Sequence, residues 1–401
     1  MNKSLKILII ILLFANYYAF GQQFTSQQIK EKEASTQNFF GDSGDIDGDV
    51  SVIISVHSHT AYVYNRNPAG KWILSKSMRP KEAQYGDRFG QEACAISGKY
   101  VIVGDWMNST HKTGAAYIFE LGEGSEWKQV ATLVPANSKE ESFGRRVDIY
   151  GNIAVVASSN GIYTFNLGAD NKWKQIQFID EKPLKTSLGY KGLALSKDYL
   201  IVGAGYIDSS KGTGYDAALV YKRTKSNRWK YLQKIVSPTE QKRSDFASAI
   251  SISNTIIAIG ANSQDYKRLG ATGVVFIYEL GTKKFELSQE IYPEDFGPSI
   301  YNFGVNVAVS ENYLAVLRAQ EKNYKGSVTF YHKVDGEYER VAKKVSPINS
   351  TNNGNDFGRN GLAIDANHVF VGAPGDSYCD TDTTTWARGK CGSAFMFTIK
   401  K

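Results

Sequence analysis

Residues 89–104, FGQEACAISGKYVIVG, decide the fold. A Phe-Gly step opens the stretch, and two short apolar runs follow it on either side of a Ser-Gly-Lys turn. After a loop, residues 114–119, GAAYIF, supply a third apolar run. Short apolar runs separated by tight polar turns predict three successive antiparallel strands.

The same pattern recurs seven times along the chain. The opening steps begin at Phe40, Phe89, Phe143, Leu188, Phe246, Phe303 and Phe357. The intervals between these residues are 49, 54, 45, 58, 57 and 54. Such spacing is the signature of an array in which each copy is one supersecondary unit.

A fourth strand is predicted after a Gly-rich or Lys-rich turn, where an aromatic residue recurs in the first six copies. These aromatics are Trp72, Trp127, Trp173, Trp229, Phe285 and Tyr338. Four strands in a unit of this length match a propeller blade. The sequence therefore predicts an all-β, seven-bladed β-propeller of four-stranded antiparallel blades, with the aromatics packed between blades.

The seventh copy ends at its third strand, so the ring must be closed from elsewhere. Residues 24–31, FTSQQIKE, precede the first Phe-Gly step and resemble residues 285–291, FELSQEI, a predicted fourth strand. We expect this N-terminal strand to complete the last blade. That pairing would cover an edge that otherwise invites aggregation.

The first 21 residues have the features of a secretory signal peptide. Residues 1–6 are short and basic, residues 7–15 are apolar, and Ala19 and Gly21 suit signal peptidase. The apolar run is too short to span a membrane, so we expect no transmembrane segment after cleavage. The mature domain, residues 22–401, would be secreted or located at the cell surface or in the periplasm.

Charge and cysteine content limit the possible partners. Loss of Lys3 and Lys6 leaves 45 basic and 40 acidic residues, a net charge of +5, and the basic residues are scattered among acids. This balance argues against nucleic acid as a partner. Cys379 and Cys391 flank one long loop and are predicted to form a disulfide in an oxidising compartment, with a metal site as the alternative. Cys94 is predicted to be a buried free thiol.

The Phe-Gly steps and the later Gly-Ala steps, such as Gly203-Ala204, Gly260-Ala261 and Gly372-Ala373-Pro374, carry a family resemblance. They resemble the FG-GAP repeat of the integrin α-subunit head and of many secreted proteins. The resemblance implies the same propeller fold and an extracellular role such as cell adhesion. Many members bind calcium through an Asp-rich loop, but residues 45–49, DIDGD, depart from that pattern. We therefore predict no metal and no cofactor.

The connections between the second and third strands vary most from copy to copy. They carry aromatic and basic residues that the strand pattern does not require, and loops on a rigid scaffold commonly carry recognition. The predicted binding residues are Trp106, His111, Tyr206, Tyr215, Tyr266, Lys267, Arg268, Tyr324, Trp386 and Arg388. These loops should open on one face of the ring.

The sequence contains no catalytic motif, so we predict a non-enzymatic propeller that binds a protein or glycan. It would be a monomer unless it belongs to a surface assembly. One alternative is an enzyme acting on polysaccharide through carboxylates at the axial channel, and another is a structural component of an extracellular assembly. Clustered carboxylates with raised pKa values in the channel would favour the enzyme, whereas an aromatic and basic rim would favour the binding protein.

Overall fold

The chain forms a seven-bladed propeller whose blades are four-stranded antiparallel sheets. The computed structural model describes residues 24–31, 38–136, 141–180, 187–205, 216–239, 241, 244–265, 270–295, 301–320, 325–348, 357–358, 360–376 and 391–399. These residues contain 28 strands and one short 3₁₀ turn, Glu123–Ser125. The predicted fold class is confirmed.

Consecutive strands form blades 1 to 6, and strand 1 of each blade lines the axial channel. Blade 1 contains β2 (Phe40–Asp47), β3 (Val50–Ser55), β4 (Thr60–Arg66) and β5 (Trp72–Met78). Blade 2 contains β6 (Phe89–Ser97), β7 (Tyr100–Asp105), β8 (Ala115–Leu121) and β9 (Trp127–Leu133). Blade 3 contains β10 (Arg146–Tyr150), β11 (Ile153–Ala157), β12 (Gly161–Leu167) and β13 (Trp173–Asp180).

The second half of the ring repeats this order. Blade 4 contains β14 (Ser187–Leu195), β15 (Tyr199–Gly205), β16 (Ala217–Arg223) and β17 (Trp229–Val236). Blade 5 contains β18 (Phe246–Ser253), β19 (Ile256–Ala261), β20 (Val274–Leu280) and β21 (Phe285–Ile291). Blade 6 contains β22 (Tyr301–Val309), β23 (Tyr313–Gln320), β24 (Ser327–Val334) and β25 (Glu337–Val345).

Blade 7 is completed by the N-terminal strand, as the sequence predicts. It contains β26 (Leu362–Asp365), β27 (His368–Ala373), β28 (Ser393–Ile399) and, outermost, β1 (Phe24–Lys30). β1 pairs antiparallel with β28 along its whole length, from Phe24 opposite Ile399 to Lys30 opposite Ser393. The first and last of the described strands thus belong to one sheet.

The hydrophobic core is divided among the seams between blades. Each of seven buried clusters of described residues combines side chains from two neighbouring blades. The predicted packing of the strand-4 aromatics is confirmed, because Trp173 meets Tyr100 of blade 2 edge to face and Phe285 meets Tyr199 of blade 4 in the same way. The blades are therefore held mainly by their neighbours.

The repeated Phe-Gly step forms the inner part of each seam. The Phe rings are buried, and Gly144 takes the left-handed conformation at φ +91°. A Cβ on Gly104, in strand 2 of blade 2, would collide with the Gly144 carbonyl oxygen, and Gly372 faces Gly41 in the same manner. The glycines of the Phe-Gly and Gly-Ala steps thus let adjacent blades approach at backbone distance.

A glutamine clamp closes the outer part of four seams among the described residues. At the closure seam, Gln27 Nε2 donates to the Trp72 carbonyl at 2.8 Å and Gln27 Oε1 accepts from the Trp72 amide at 2.8 Å. The equivalent clamps join Gln177 to Trp229, Gln233 to Phe285 and Gln289 to Tyr338. In each case a side-chain amide satisfies both backbone groups of the next blade's aromatic residue.

The N-terminal segment also inserts a buried carboxylate between blades 7 and 1. Glu31 accepts hydrogen bonds from the Tyr62 hydroxyl at 2.6 Å and from Asn38 Nδ2 at 2.8 Å. The Phe40 amide donates to the Cys391 carbonyl at 2.9 Å across the same seam. The closure seam is therefore fastened both at its outer edge and near its centre.

Candidate functional site

The two ends of the ring differ in the connections that they carry. The strand 2 to 3 loops and the links between blades lie on one face, which we call the upper face. The tight turns joining strands 1 to 2 and 3 to 4 lie on the other, the lower face. The antiparallel order of each blade therefore assigns all the predicted binding loops to the upper face.

Two of the ten predicted binding residues, Trp106 and His111, lie in the part of the chain that the structure describes. Tyr206, Tyr215, Tyr266, Lys267, Arg268, Tyr324, Trp386 and Arg388 lie outside the described residues. Their roles, and whether they come together, stay predictions.

The structure agrees in part with the predictions made for the cysteines. Cys94 is a free thiol, but it is only partly buried, against the core between blades 1 and 2. Burial and the neighbouring Asp45 carboxylate raise the pKa of this thiol. Cys391 is fully buried, whereas its predicted partner Cys379 lies outside the described residues. The disulfide stays a prediction.

Trp106 and His111 occupy the strand 2 to 3 loop of blade 2. Trp106 Nε1 donates to Gln91 Oε1 at 3.3 Å, and the Arg145 guanidinium lies 5.2 Å from the indole centroid. The Trp106 ring therefore joins the upper ends of blades 2 and 3. The His111 amide donates to Asn108 Oδ1 at 2.7 Å, and the His111 residue is partly exposed.

Two buried carboxylates brace this loop against the link that leads into blade 2. The Ser109 amide and hydroxyl donate to Asp87 Oδ1 at 2.8 and 2.6 Å. The Arg88 amide donates to Asp105 Oδ1 at 2.9 Å, and Asn108 Nδ2 donates to Asp105 Oδ2 at 2.7 Å. We call residues 79–88 and 105–113 together the blade-2 ledge. Burial raises the pKa of Asp105 to about 6.

The outer surface of the blade-2 ledge exposes two large side chains among basic and polar ones. Tyr85 is fully exposed, and Met107 is 48% exposed. Arg79, Lys81 and Lys112 are exposed as well, whereas Asp87 and Asp105 are turned inward to hold the loops. Aromatic, Met and Arg side chains on a braced surface are typical of binding hot spots.

A polar cleft of about 300 Å³ lies beside the ledge on the upper face. Its lining comes from the upper ends of blades 7, 1 and 2: Phe39, Asp42, Val56, His57, Arg88, Gln91, Glu92, Asn360 and Pro374. Arg88 belongs to both features, since its amide braces the ledge and the residue lines the cleft.

A second cavity of about 300 Å³ occupies the lower end of the axial channel. Its wall is the innermost strand of each blade, and it includes the carboxylates of Asp45, Asp47, Asp148 and Asp365. Strand pairing places Asp45 and Asp148 at equivalent positions of blades 1 and 3. Blades 2, 4, 6 and 7 have Ala95, Ala194, Ala308 and Ala363 there, and blade 5 has Ser251.

Asp45 and Asp148 each bridge two blades through backbone amides. Asp45 Oδ1 accepts from the Ile46 amide at 2.8 Å, and Oδ2 accepts from the Ile96 amide of blade 2 at 2.9 Å. Asp148 repeats this arrangement with Ile149 and with Leu195 of blade 4, both at 2.7 Å. The innermost strands are sheet edges, so these carboxylates satisfy amides that have no strand partner.

Burial raises the pKa of Asp45 to about 7 and that of Asp148 to about 8. The charge of Asp45 adds to the shift of Asp148, and the amide donors oppose both shifts. An acid with a pKa near neutrality can act as a general acid. Here, however, both oxygens of each carboxyl group already accept an amide hydrogen bond, which is the geometry of a fastener between blades.

Sequence reasoning considered Asp45 only as part of residues 45–49, for which it predicted no metal, and did not identify Asp148, Tyr85 or Met107. The described residues include no group of three or more His, Cys, Asp or Glu side chains arranged to hold a metal. They also include no helix long and apolar enough to span a membrane. The two channel carboxylates, Asp45 and Asp148, could have been found from the sequence, because four other copies have Ala at the equivalent strand position.

Comparison with known proteins supports the fold and goes no further. No family model matches the chain, and no curated protein matches it. The chain is similar to Nup159 in an S. cerevisiae complex with Dbp5 and Gle1, with 12% identity, a TM-score of 0.50 and coverage of 95% of this chain and 96% of that one. A functionally unknown protein from Desulfotomaculum acetoxidans is similar at 10% identity and a TM-score of 0.49, with coverage of 76% and 88%. The class is therefore a seven-bladed β-propeller.

Proposed function

We propose that this chain is a secreted, non-enzymatic propeller of the FG-GAP type that binds a protein ligand through its upper face, with the blade-2 ledge at the centre of the contact. The observation that carries the proposal is the exposure of Tyr85 and Met107 on loops that Asp87 and Asp105 hold in place. Loops that are already ordered lose little conformational entropy on binding.

The FG-GAP assignment is supported by the physical role of the repeated glycines. Gly41, Gly90, Gly144, Gly304 and Gly358 all have positive φ values in the Phe-Gly steps. Gly104, Gly260 and Gly372 face the next blade's Phe-Gly step across a seam. Both halves of the motif thus serve one contact, which explains why they recur together.

The ligand test uses the mature protein, residues 22–401, immobilised and exposed to surface-protein extract and to a glycan array. The ledge variant is Tyr85→Ala with Met107→Ala. The control is Tyr231→Ala with Leu74→Ala, which removes a Tyr and an aliphatic side chain that are 49% and 41% exposed on outer strands. We expect protein capture by the wild type and the control, and loss of capture by the ledge variant. Capture retained by the ledge variant, or binding confined to glycans, would contradict the proposal.

Export is tested separately by sequencing the N terminus of the protein recovered from its native source. Cleavage of a signal peptide after Gly21 gives a chain that begins at Gln22. A chain that keeps Met1 would contradict secretion through this segment.

A second candidate function has one observation in its favour. Asp45 and Asp148 line the same axial cavity, and burial raises the pKa of both. An enzyme acting on polysaccharide needs one such acid as its proton donor. The amide hydrogen bonds to all four of their oxygens favour the structural role. The discriminating experiment measures release of reducing sugars from a polysaccharide panel by the wild type and by Asp148→Asn. Release that the substitution abolishes would establish the enzyme and overturn the non-enzymatic proposal.

A further inference from the structure

The glutamine clamps divide the ring unevenly. They join blade 7 to blade 1, and they link blades 3, 4, 5 and 6 in series. Among the described residues, no such clamp joins blade 2 to blade 1, blade 2 to blade 3, or blade 6 to blade 7. Blade 2, which carries the blade-2 ledge, is therefore the blade that lacks a clamp at both of its seams.

Other residues hold the clamp position at these seams. Gln177 pairs with Thr164 just after the β-bulge of β13, and Ala131 pairs with Ile118 at the same register of β9. Ala342 holds the equivalent position in blade 6. The alanine side chain has no hydrogen-bonding group, so it offers nothing to the backbone of the next blade.

The seam between blades 1 and 2 has an ion pair in place of a clamp. Lys76 stands at the clamp position, and its ammonium pairs with the Glu126 carboxylate at 2.8 Å. An ammonium only donates hydrogen bonds, so Lys76 cannot accept one from the Trp127 amide as a glutamine would. The side chains of the ion pair are 38% and 52% exposed, and exposed ion pairs contribute little stability.

The packing of the strand-4 aromatics follows the same division. The four that clamps hold are 1–4% exposed: Trp72, Trp229, Phe285 and Tyr338. Trp127 is 8% exposed, and Trp173, which packs in the same cluster as Ala131, is only partly buried. The outer edges of both blade-2 seams therefore fit less closely than the clamped seams.

The inner edge of blade 2, in contrast, is fastened on both sides. The Ile96 amide donates to Asp45 Oδ2 of blade 1 at 2.9 Å, and the Gly151 amide of blade 3 donates to Ser97 Oγ at 3.0 Å. Ile96 and Ser97 belong to β6, the innermost strand of the blade. A body that is held along one edge and not along the opposite edge can turn about the held edge, as in hinge motions of proteins.

We propose that blade 2 is a hinged blade, which turns about β6 relative to two clamped bodies, blades 3 to 6 and blades 7 and 1, and carries the blade-2 ledge with it. The Lys81 amide donates to Gln129 Oε1 of β9 at 3.0 Å, and Asp87 holds Ser109, so the two parts of the ledge are tied to this blade and to each other. The cleft on the upper face is lined by blades 7, 1 and 2, so the movement also alters the cleft. That the moving surface binds a ligand rests on the proposed function.

The test measures distances between spin labels at equivalent positions of neighbouring blades, by double electron–electron resonance on the mature protein without a ligand. The labelled residue follows the strand-4 aromatic and is exposed in each of blades 1 to 4: Ile73→Cys, Lys128→Cys, Lys174→Cys and Lys230→Cys, taken in adjacent pairs. The pair at positions 174 and 230 spans a clamped seam and is the matched reference. We expect broader distributions, extending to longer distances, for positions 73 with 128 and 128 with 174. The parent protein, labelled in the same way, gives the signal of its own cysteines.

Variants that add or remove a clamp make the test reciprocal. Ala131→Gln introduces the side chain that the clamped seams use. Two neutral hydrogen bonds change an opening equilibrium by roughly 10-fold, so the population at long distances between positions 128 and 174 should fall by about that factor. Gln177→Ala should broaden the distribution between positions 174 and 230. Ala131→Ser, whose side chain is too short to form a clamp, is the control and should change neither distribution.

Two results would overturn the hinge. One is equal distributions across the clamped and unclamped seams. The other is a broad distribution between positions 128 and 174 that Ala131→Gln leaves unchanged, because the missing clamp would then not be its cause.

The outcome is independent of the ligand test, since no ligand is present. Equal distributions, together with partner capture that the ledge variant loses, would contradict the hinge alone. A broad distribution that Ala131→Gln narrows, together with capture that the ledge variant retains, would support the hinge and contradict the proposed function.

Discussion

Replacement of Asp148 by Asn should change how the stability of the ring depends on pH. The raised pKa values of Asp45 and Asp148, about 7 and about 8 against a reference of 3.8, mean that the folded protein holds protons that the unfolded chain has released. Their stabilising contribution is complete below about pH 4 and is lost as the pH rises through 7 and 8. These two groups therefore lower the free energy of unfolding as the pH increases.

The size of the effect follows from the shifts. One pKa unit corresponds to about 1.4 kcal/mol. Applied in full to both groups, the shifts would lower the free energy of unfolding by roughly 5 kcal/mol between pH 5 and 7. Both side chains border the cavity, so water there reduces this value, and we expect on the order of 2–3 kcal/mol. Asp148→Asn should remove about half of the decrease.

The substitution should also produce curves that cross. At pH 5, the introduced Asn side chain and a protonated Asp148 both offer one good acceptor to the two amides, so the variant should lie within about 1 kcal/mol of the wild type. At pH 8 the variant should be the more stable protein, because it places no charge at this position of the channel wall. Urea unfolding at pH 5, 6, 7 and 8 and constant ionic strength measures both ends.

Ser251→Ala is the matched control. Ser251 occupies the same level of the channel, and its hydroxyl accepts from the Val309 amide of the next blade at 3.1 Å, but it does not titrate in this range. Its loss should lower stability by about 1 kcal/mol at every pH. Parallel curves for Asp148→Asn and the wild type would refute the titration argument and leave only the hydrogen bonds.

Four further predictions concern the seams. Gln27→Ala should lower the free energy of unfolding by about 1–2 kcal/mol, and so should Gln177→Ala at an interior seam, because each leaves two backbone groups of the next blade unpaired. Deletion of residues 24–33 should lower the melting temperature sharply. An unchanged melting temperature would contradict the closure. Ala247→Gly should raise stability by about 0.5 kcal/mol in urea unfolding, since Ala247 holds a φ of +63° where other blades have glycine; a lower urea midpoint would count against strain there. Gly104→Ala should lower the free energy of unfolding by about 3 kcal/mol or more, because the added Cβ would collide with the Gly144 carbonyl. Gly122→Ala is the control, since its Cβ would make only an ordinary contact, and it should change little in the same urea unfolding experiment.

The sequence predicted the ring, its seven blades and its closure because those depend on features that every copy repeats. The Phe-Gly step, the apolar runs and the strand-4 aromatic each occupy a fixed register, and β1 was recognisable because residues 24–31 resemble β21. The periodicity of apolar residues indicates the local conformation directly. In an array it also indicates the packing, because every unit packs against a similar neighbour.

The candidate sites could not be predicted in the same way, because they depend on pairs of residues that are close only in the folded ring. Asp87 precedes Ser109 by 22 positions and Asp45 precedes Ile96 by 51, and no local pattern links the members of either pair. The glutamine clamps could not be predicted from the sequence for a related reason. A Gln a few residues after an aromatic on an outer strand resembles any polar surface residue until the next blade's backbone is placed beside it.

Comparison of equivalent positions in the seven blades separates the residues that hold the ring together from those that are available for binding. Positions at which the copies agree, such as the buried Phe of the Phe-Gly step, serve the seams and carry no information about ligands. Asp45, Asp148 and Ser251 differ from the Ala of their equivalent positions, yet each accepts a hydrogen bond from a neighbouring blade, so divergence alone does not mark a site. Tyr85 and Met107 differ in a second respect, since their side chains are exposed while Asp87 and Asp105 hold the loops that carry them. An exposed side chain that makes no contact needed for the fold, on a loop that the fold holds in place, is the stronger candidate for recognition. For this reason the proposed function is assigned to the blade-2 ledge and not to the channel.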